Sequence, residues 1–446
     1  MPLSCFGYQT FGGDAPLMTA TPDTASTQTF QSVACPFCGI LCDDLEISKT
    51  GAGLKVARNG CDKAIAGFER ALPAASPQIG GKSVLLAQAI AEATAMIRKA
   101  KLPLYGGLAT DVEGMRAIMA LADRSGGVVD HALSEGQYRN FKVLQSTGWV
   151  MTTLTEVRNR ADLIIIVGTD VHKLHPRFFE RTICNEESMF ESPALKRTIV
   201  FVGQGLDQSA AVGPRIGEVI TLPCPLDQVG EIVSALRARL KGVPLPANTI
   251  AGVQLAAIDD LAQRCRKAAY GVVVWAPPGL NFSNADLAVQ AICDMVRELN
   301  VTQRFAGLSL GGNEGAVTAG AVSSWQSGFP LRVSFASGKP DYDATRYAIN
   351  RMLSAGEGDL LVWTASFTPD IGVPKTSLPT IVLGTPGLAM AQPPAVYIPI
   401  GTPGVDHAGR LVRCDNVVSL PLRNLGRSTL PSAADVLSAI ESALHI

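Results

Sequence analysis

Four of the ten cysteines in this chain are spaced as a ligand set would be. Cys35-Pro36-Phe37-Cys38-Gly39-Ile40-Leu41-Cys42 reads C-x2-C-x3-C, and a fourth thiol, Cys61, follows in Asn59-Gly60-Cys61. Three closely spaced thiolates on a glycine-containing loop, with one returning thiolate, can wrap a four-iron four-sulfur (4Fe-4S) cubane. Four thiolates can also hold zinc as a tetrahedron, although zinc sites more often use two C-x2-C knuckles. The third reading is that these thiols hold no metal. Asp43-Asp44, just after the cluster, reads as a loop or strand-edge pair. Cys184, Cys224, Cys265, Cys293 and Cys414 sit singly among apolar residues and read as small buried hydrophobes.

Other candidates are weaker. Gly311-Gly312-Asn313-Glu314-Gly315 is glycine-rich but lacks the Lys-Ser/Thr of a P-loop and the order of a dinucleotide fingerprint. His175-Pro176-Arg177 could meet an anion at the end of a strand, but Pro also suits a first helical turn. Thr169-Asp170 reads as a helix cap. Asp406-His407 has no nucleophile paired with it, and His407 reads as a surface or interface histidine. There is no His-x-His or His-Glu-x-x-His, which argues against a zinc hydrolase.

Those residues need a scaffold, and 446 residues provide one. About 150 residues per domain gives roughly three domains or subdomains. A net charge of −1 excludes a strongly basic face, so neither nucleic acid nor an anionic membrane is expected as a partner. No apolar run reaches the roughly 18 residues of a spanning helix. No Lys or Arg precedes Lys49, which disfavours a secretory signal, and a cytoplasmic protein is the default.

Residues 1–32 read as a flexible tail, rich in Thr, Ser, Gly and Pro, in which Met18 could equally be the start. Residues 33–75 form a small four-cysteine subdomain, with alternation at Leu41–Ile47 predicting a half-buried strand. Helices are expected over Ser83–Lys99, Glu113–Ser125, Thr155–Arg160 and Ser283–Leu299, the last capped by Ser283 or Asn284. Strands are expected at Leu104–Gly107, Val128–Asp130, Leu163–Gly168, Thr198–Gly203, Gly271–Trp275, Asp359–Thr364, Thr380–Leu383 and Val396–Ile400. Strand-helix-strand alternation at this spacing means α/β architecture with doubly wound, Rossmann-like parallel sheets. We divide it into a first block at 76–245 and a second at 246–446, with Arg239–Asn248 as a hinge.

The cysteine motif, continued as Cys42-Asp43-Asp44, resembles the opening of the B subunit of formylmethanofuran dehydrogenase, a tungsten- or molybdenum-pterin member of the formate dehydrogenase family. The likeness continues through Leu104-Tyr105-Gly106-Gly107, Leu154–Asp162, His175-Pro176-Arg177, Trp325–Pro330 and Asp406–Arg410. It implies a formate dehydrogenase/DMSO reductase-like fold. In that family a Cys or selenocysteine followed by a His serves the metal, and an Arg stands fourteen positions before the loop tryptophan. Counted from Asp130 with Ser134 kept in place, the first two positions fall on Gly136 and Gln137; counted back from Trp325, the third is Gly311. Glycine cannot ligate, glutamine cannot shuttle protons near neutrality, and the anion clamp is gone.

The B subunit of the formyltransferase/hydrolase complex of methylotrophic bacteria resembles the dehydrogenase B subunit in the same way. That resemblance implies a non-catalytic, structural subunit, without a molybdenum or tungsten pterin, in tetrahydromethanopterin-linked oxidation of formaldehyde to formate. Its partners would be A, C and D type subunits and a methanofuran-like carrier. The alternatives are an active B subunit of formylmethanofuran dehydrogenase, and an iron–sulfur electron-transfer subunit using Cys35, Cys38, Cys42 and Cys61.

Overall fold

The computed structural model describes residues 27–189 and 196–444. Most of the expected tail, including Cys5 and Met18, lies outside those residues. Its last stretch is a correction: Gln28–Val33 is a strand, antiparallel to Leu45–Thr50, which in turn pairs with Gly53–Arg58. The strand expected from Leu41 starts only at Leu45, because residues 35–42 form a closed loop in which the Cys35 N–H donates to the Cys42 carbonyl at 2.8 Å.

Beyond this small antiparallel unit the protein is mixed α/β, built on two sheets that are parallel at their centres. The first has five strands in the order Ile216–Leu222, Arg197–Val202, Leu163–Val167, Gly271–Trp275 and Phe305–Ser309, all parallel. Leu163–Val167 and Gly271–Trp275 are continuous apolar runs because both their faces are covered. Leu163, Ile165 and Val167 point into the core built with helices Val229–Leu240, Leu255–Lys267 and Ala285–Leu299. Ile164 and Ile166 point the other way, toward Phe178, Phe179 and the cysteine-bearing unit. A slip of one residue would exchange these two faces, so the register is strongly specified.

The second sheet has nine strands. Its parallel centre is Val128–Val129, Pro103–Ala109, Leu360–Ala365, Thr380–Gly384 and Val396–Pro399, with short antiparallel strands at both edges. Helices Leu86–Lys99, Val112–Ser125 and Ala433–Leu444 share its core on one face.

The linear division at residue 245 does not survive. The five-stranded sheet takes strands from both sides of it, and the whole of that sheet is inserted between the two halves of the nine-stranded one. Arg239–Asn248 is not a hinge between blocks: it joins two helices that pack against each other in one core. Strand and helix signals are local, whereas the choice of sheet partner is made by contacts far apart in sequence, and the two sheets use the same local pattern. The expected cap on Ala285–Leu299 is also absent: Asn284 adopts φ +58° and makes no capping hydrogen bond. Among the described residues no helix is long and apolar enough to cross a membrane.

Candidate functional site

The cysteine loop hangs between two strands, and its carboxylates hold it down. Arg177 is buried and forms a bidentate pair with Asp44 at 2.7 and 2.8 Å, while also donating to the Asn59 carbonyl at 2.6 Å. Arg181 pairs with Asp43 at 2.7 Å. His175-Pro176-Arg177 is therefore a tether. Burial opposes ionisation of Asp44, but the Arg177 hydrogen bonds outweigh it and its carboxyl is held below the usual range.

Cys35, Cys38 and Cys42 are buried and Cys61 is half-buried. Burial pushes the Cys35 thiol well up, and the nearby Cys38, Cys42 and Cys61 push it further. Burial, helped by Cys38, lifts Cys42 to about 12. The four thiols thus share one neighbourhood and supply the soft donors a cubane requires. Among the described residues, however, no group of three or more His, Cys, Asp or Glu side chains is arranged to hold a metal ion.

Gly39 explains how the loop meets the rest of the site. A Cβ there would overlap the Gly311 carbonyl oxygen and lie 3.0 Å from the Gly312 Cα. The Gly39 carbonyl accepts from the Cys414 N–H at 2.8 Å, and its own N–H reaches Asn313 Oδ1 at 3.3 Å. Only glycine permits this backbone-on-backbone approach.

On one side of the Gly311–Gly315 loop lies a cavity of about 500 Å³. It opens beyond the carboxyl ends of the five-stranded sheet, where such sheets bind ligands. Gln137 and Gly311 both line it, and Gly136 faces Pro277 on its wall, with 3.5 Å from its notional Cβ. The adjacent pair Gly136-Gln137 and the distant Gly311 therefore converge. Gln137 Nε2 donates to the Ala316 carbonyl at 2.8 Å. Asn140, on the same helix face, donates to Ser309 at 2.7 Å and accepts from Trp275 Nε1 at 2.9 Å. Phe141, Leu144, Trp149, Met151, Val317 and Pro330 make much of the wall apolar, and among the described residues no imidazole, guanidinium or ammonium group lines it.

One thiol does line it. Cys414, read from sequence as an isolated core residue, stands on this wall beside Asp415. Burial, followed by the neighbouring Asp415 and Cys38, raises its pKa, so it is a neutral thiol rather than a thiolate. Its position a few residues after Asp406–Arg410 was the available signal. A pterin-bound metal needs a thiolate, a proton carrier and an anion clamp; among the described residues this wall carries one thiol, Cys414, and no imidazole or guanidinium.

The other side of the loop carries charged side chains. Asn313 and Glu314 line a second cavity, of about 410 Å³, together with Lys63, Arg70 and Asp370. Glu314 is 9 % exposed and adopts φ +53°. His131, fully buried, accepts from the Leu133 N–H at Nδ1 and donates from Nε2 to the Glu314 carbonyl at 2.9 Å. Sequence reading singled out neither residue for chemistry.

Two further candidates resolve as structural. Asp170 caps a short helix by accepting from the Lys173 N–H at 3.1 Å. Asp406 is buried: it pairs with Arg427 at 2.6 Å and accepts from the Thr402 N–H, while His407 is half-buried beside it.

No family model matches the chain. Its sequence is 29 % identical to the B subunit of the tungsten-containing formylmethanofuran dehydrogenase 2 of Methanocaldococcus jannaschii over 409 residues, 87 % of this chain and 92 % of that protein. It is 28 % identical to the B subunit of the formyltransferase/hydrolase complex Fhc of Methylorubrum extorquens over 327 residues, 72 % of this chain and 84 % of that protein. The fold matches a chain in the crystal structure of the Methylorubrum extorquens formyltransferase/hydrolase complex, FhcABCD, in complex with methylofuran. That match has a TM-score of 0.70 and 26 % identity, and covers 83 % of this chain and 99 % of the other. The chain is thus a homologue of the B subunits of formylmethanofuran dehydrogenase and of the formyltransferase/hydrolase complex.

Proposed function

We propose that the chain is a non-catalytic, structural subunit of a cytoplasmic formyltransferase/hydrolase complex in tetrahydromethanopterin-linked one-carbon oxidation, on a formate dehydrogenase/DMSO reductase-like fold. The carrying observation is the 500 Å³ cavity, in which Gln137 and Gly311 meet with no imidazole or guanidinium between them. The homologues support membership of such an assembly, with A, C and D type subunits as partners and a methanofuran-like carrier passing through or beside this cavity. A molybdenum or tungsten pterin does not fit the donor set.

One observation favours the competing reading of an active dehydrogenase subunit, namely the Cys414 thiol on the cavity wall. Elemental analysis of the complex isolated through a tag on this chain separates the two. The structural reading expects co-purified partner subunits, no molybdenum or tungsten, and no formate-linked dye reduction. Stoichiometric tungsten or molybdenum with such activity would overturn it.

The thiols at Cys35, Cys38, Cys42 and Cys61 have the donor chemistry of a 4Fe-4S cluster, which when bound would supply one-electron transfer. Under the electron-transfer reading Cys38→Ser abolishes reduction of the complex; under the structural reading it only loosens the small antiparallel unit.

A further inference from the structure

The second cavity is unexplained by the structural role. It opens beyond the carboxyl ends of strands Val128–Val129 and Leu360–Ala365, facing the loop that follows Phe305–Ser309. The two sheets thus meet around it, a position where α/β proteins bind ligands. Its charged groups are not spent on one another. Arg70 donates from Nη2 to Thr385 Oγ1 at 2.8 Å, and its Nε has no hydrogen-bond partner. Lys63 donates to the Leu174 carbonyl at 2.8 Å and keeps two further N–H groups. Glu314 accepts from Thr368 Oγ1 at 2.8 Å through one oxygen, and its Oε2 has no partner.

Backbone strain points the same way. A non-glycine residue in the left-handed region costs on the order of 1 kcal/mol and persists where the surroundings enforce it. Here His131 enforces it by holding the Glu314 carbonyl. Phe37, Leu133 and Ile371 supply apolar wall.

We propose that this cavity binds a small organic carboxylate, its anionic group held by Arg70 and Lys63 and its apolar body against Phe37 and Ile371, with the acid form of Glu314 donating to it. Burial raises the Glu314 pKa, opposed by the Thr368 hydrogen bonds and Arg70 and reinforced by Asp370 at the rim, so the acid form persists above the usual carboxylate range. Affinity is therefore highest at acid pH and falls as pH rises through the Glu314 pKa.

Benzoate is the probe, titrated calorimetrically into the full-length chain at about pH 5.5 and about pH 8. We expect saturable binding, weakened by the higher pH. Arg70→Gln should weaken it about tenfold or more, as loss of a charge-assisted bond does. Glu314→Gln should keep binding and remove the pH dependence, since the amide donates at every pH. Thermal melts identify any variant that fails to fold, and the wild-type pH series stands without variants. No saturable heat below about 10 mM benzoate, an unchanged affinity in folded Arg70→Gln, or inorganic phosphate binding equally well would overturn the assignment.

Discussion

The two cavities on either side of Gly311–Gly315 share a loop and differ in what their walls can do. The larger is faced by Gln137, Gly311 and a neutral thiol, and its polar atoms tie one backbone segment to another. The smaller keeps two cations and a buried carboxyl with an unpartnered oxygen. Deleting a ligating side chain from a buried wall removes a desolvation cost, so a wall without a ligand drifts toward apolar groups. Buried polar atoms without partners are costly to keep; Gln137 Oε1 is one on the larger wall, and Arg70 Nε and Glu314 Oε2 are two on the smaller, so what separates the walls is the charged side chains of the smaller one.

The charged side rests on the Asp406–Arg427 pair, with side chains 1 % and 8 % exposed. Arg427 also donates to the Gly67 carbonyl, beside Arg70. Arg427→Leu strands a buried charge and should cost about 3–5 kcal/mol in urea unfolding. Burial opposes ionisation of Asp406, but Arg427 outweighs it and sets its pKa below the ordinary 3.8. Its stabilisation is complete above that value and disappears as pH falls through the lower, folded one. Unchanged acid lability in Arg427→Leu would show that the pair does not anchor this side.

Gly39 supports both walls at once. Gly39→Ala should destabilise by about 3 kcal/mol, since the Cβ meets backbone that cannot rotate away. Gly51→Ala, with nothing within 4 Å, should stay within about 0.5 kcal/mol. Equal effects at the two sites would disprove the close approach.

His131 sharpens the contrast through pH. Burial lowers its pKa from 6.5 to about 4, the Glu314 carbonyl partly opposing. The neutral ring's contribution is therefore complete above about pH 6.5 and is lost as pH falls toward the folded value. The whole contribution is on the order of 3 kcal/mol. His131→Gln should flatten the stability–pH curve in that window, leaving the part due to His175, itself lowered by burial to about 3. A curve of unchanged slope would place His131 in water.

Much of this site could be read from sequence because its signals are local or positional. The cysteine spacing gives the loop, apolar runs such as Leu163–Val167 give buried strands, and counting from Asp130 and Trp325 leads to Gln137 and Gly311 on one cavity. What was not legible depends on contacts across the chain. Strands at 128–129 and 333–334 pair across the entire inserted sheet, and no local pattern records that. Cys414 looked like any buried cysteine until Gly39 was found bonded to its backbone. Glu314 stood out only as one residue of a glycine-rich segment; it is held by His131 and Thr368, 183 and 54 residues away.

The smallest expected effect tests whether the large cavity is open where Gly311 leaves it open. Gly311 has nothing within 4 Å of a notional Cβ, whereas Gly312 has φ +85° and the Gly39 Cα at 3.0 Å. Gly312→Ala should therefore lose on the order of 1–2 kcal/mol to left-handed strain alone. Gly311→Ala should move stability by no more than about 0.5 kcal/mol, because an extra methyl in empty space displaces nothing. Adjacent glycines in one loop, measured by the same unfolding curve, then report opposite environments. If Gly311→Ala were as costly as its neighbour, the wall at that point would be packed rather than open.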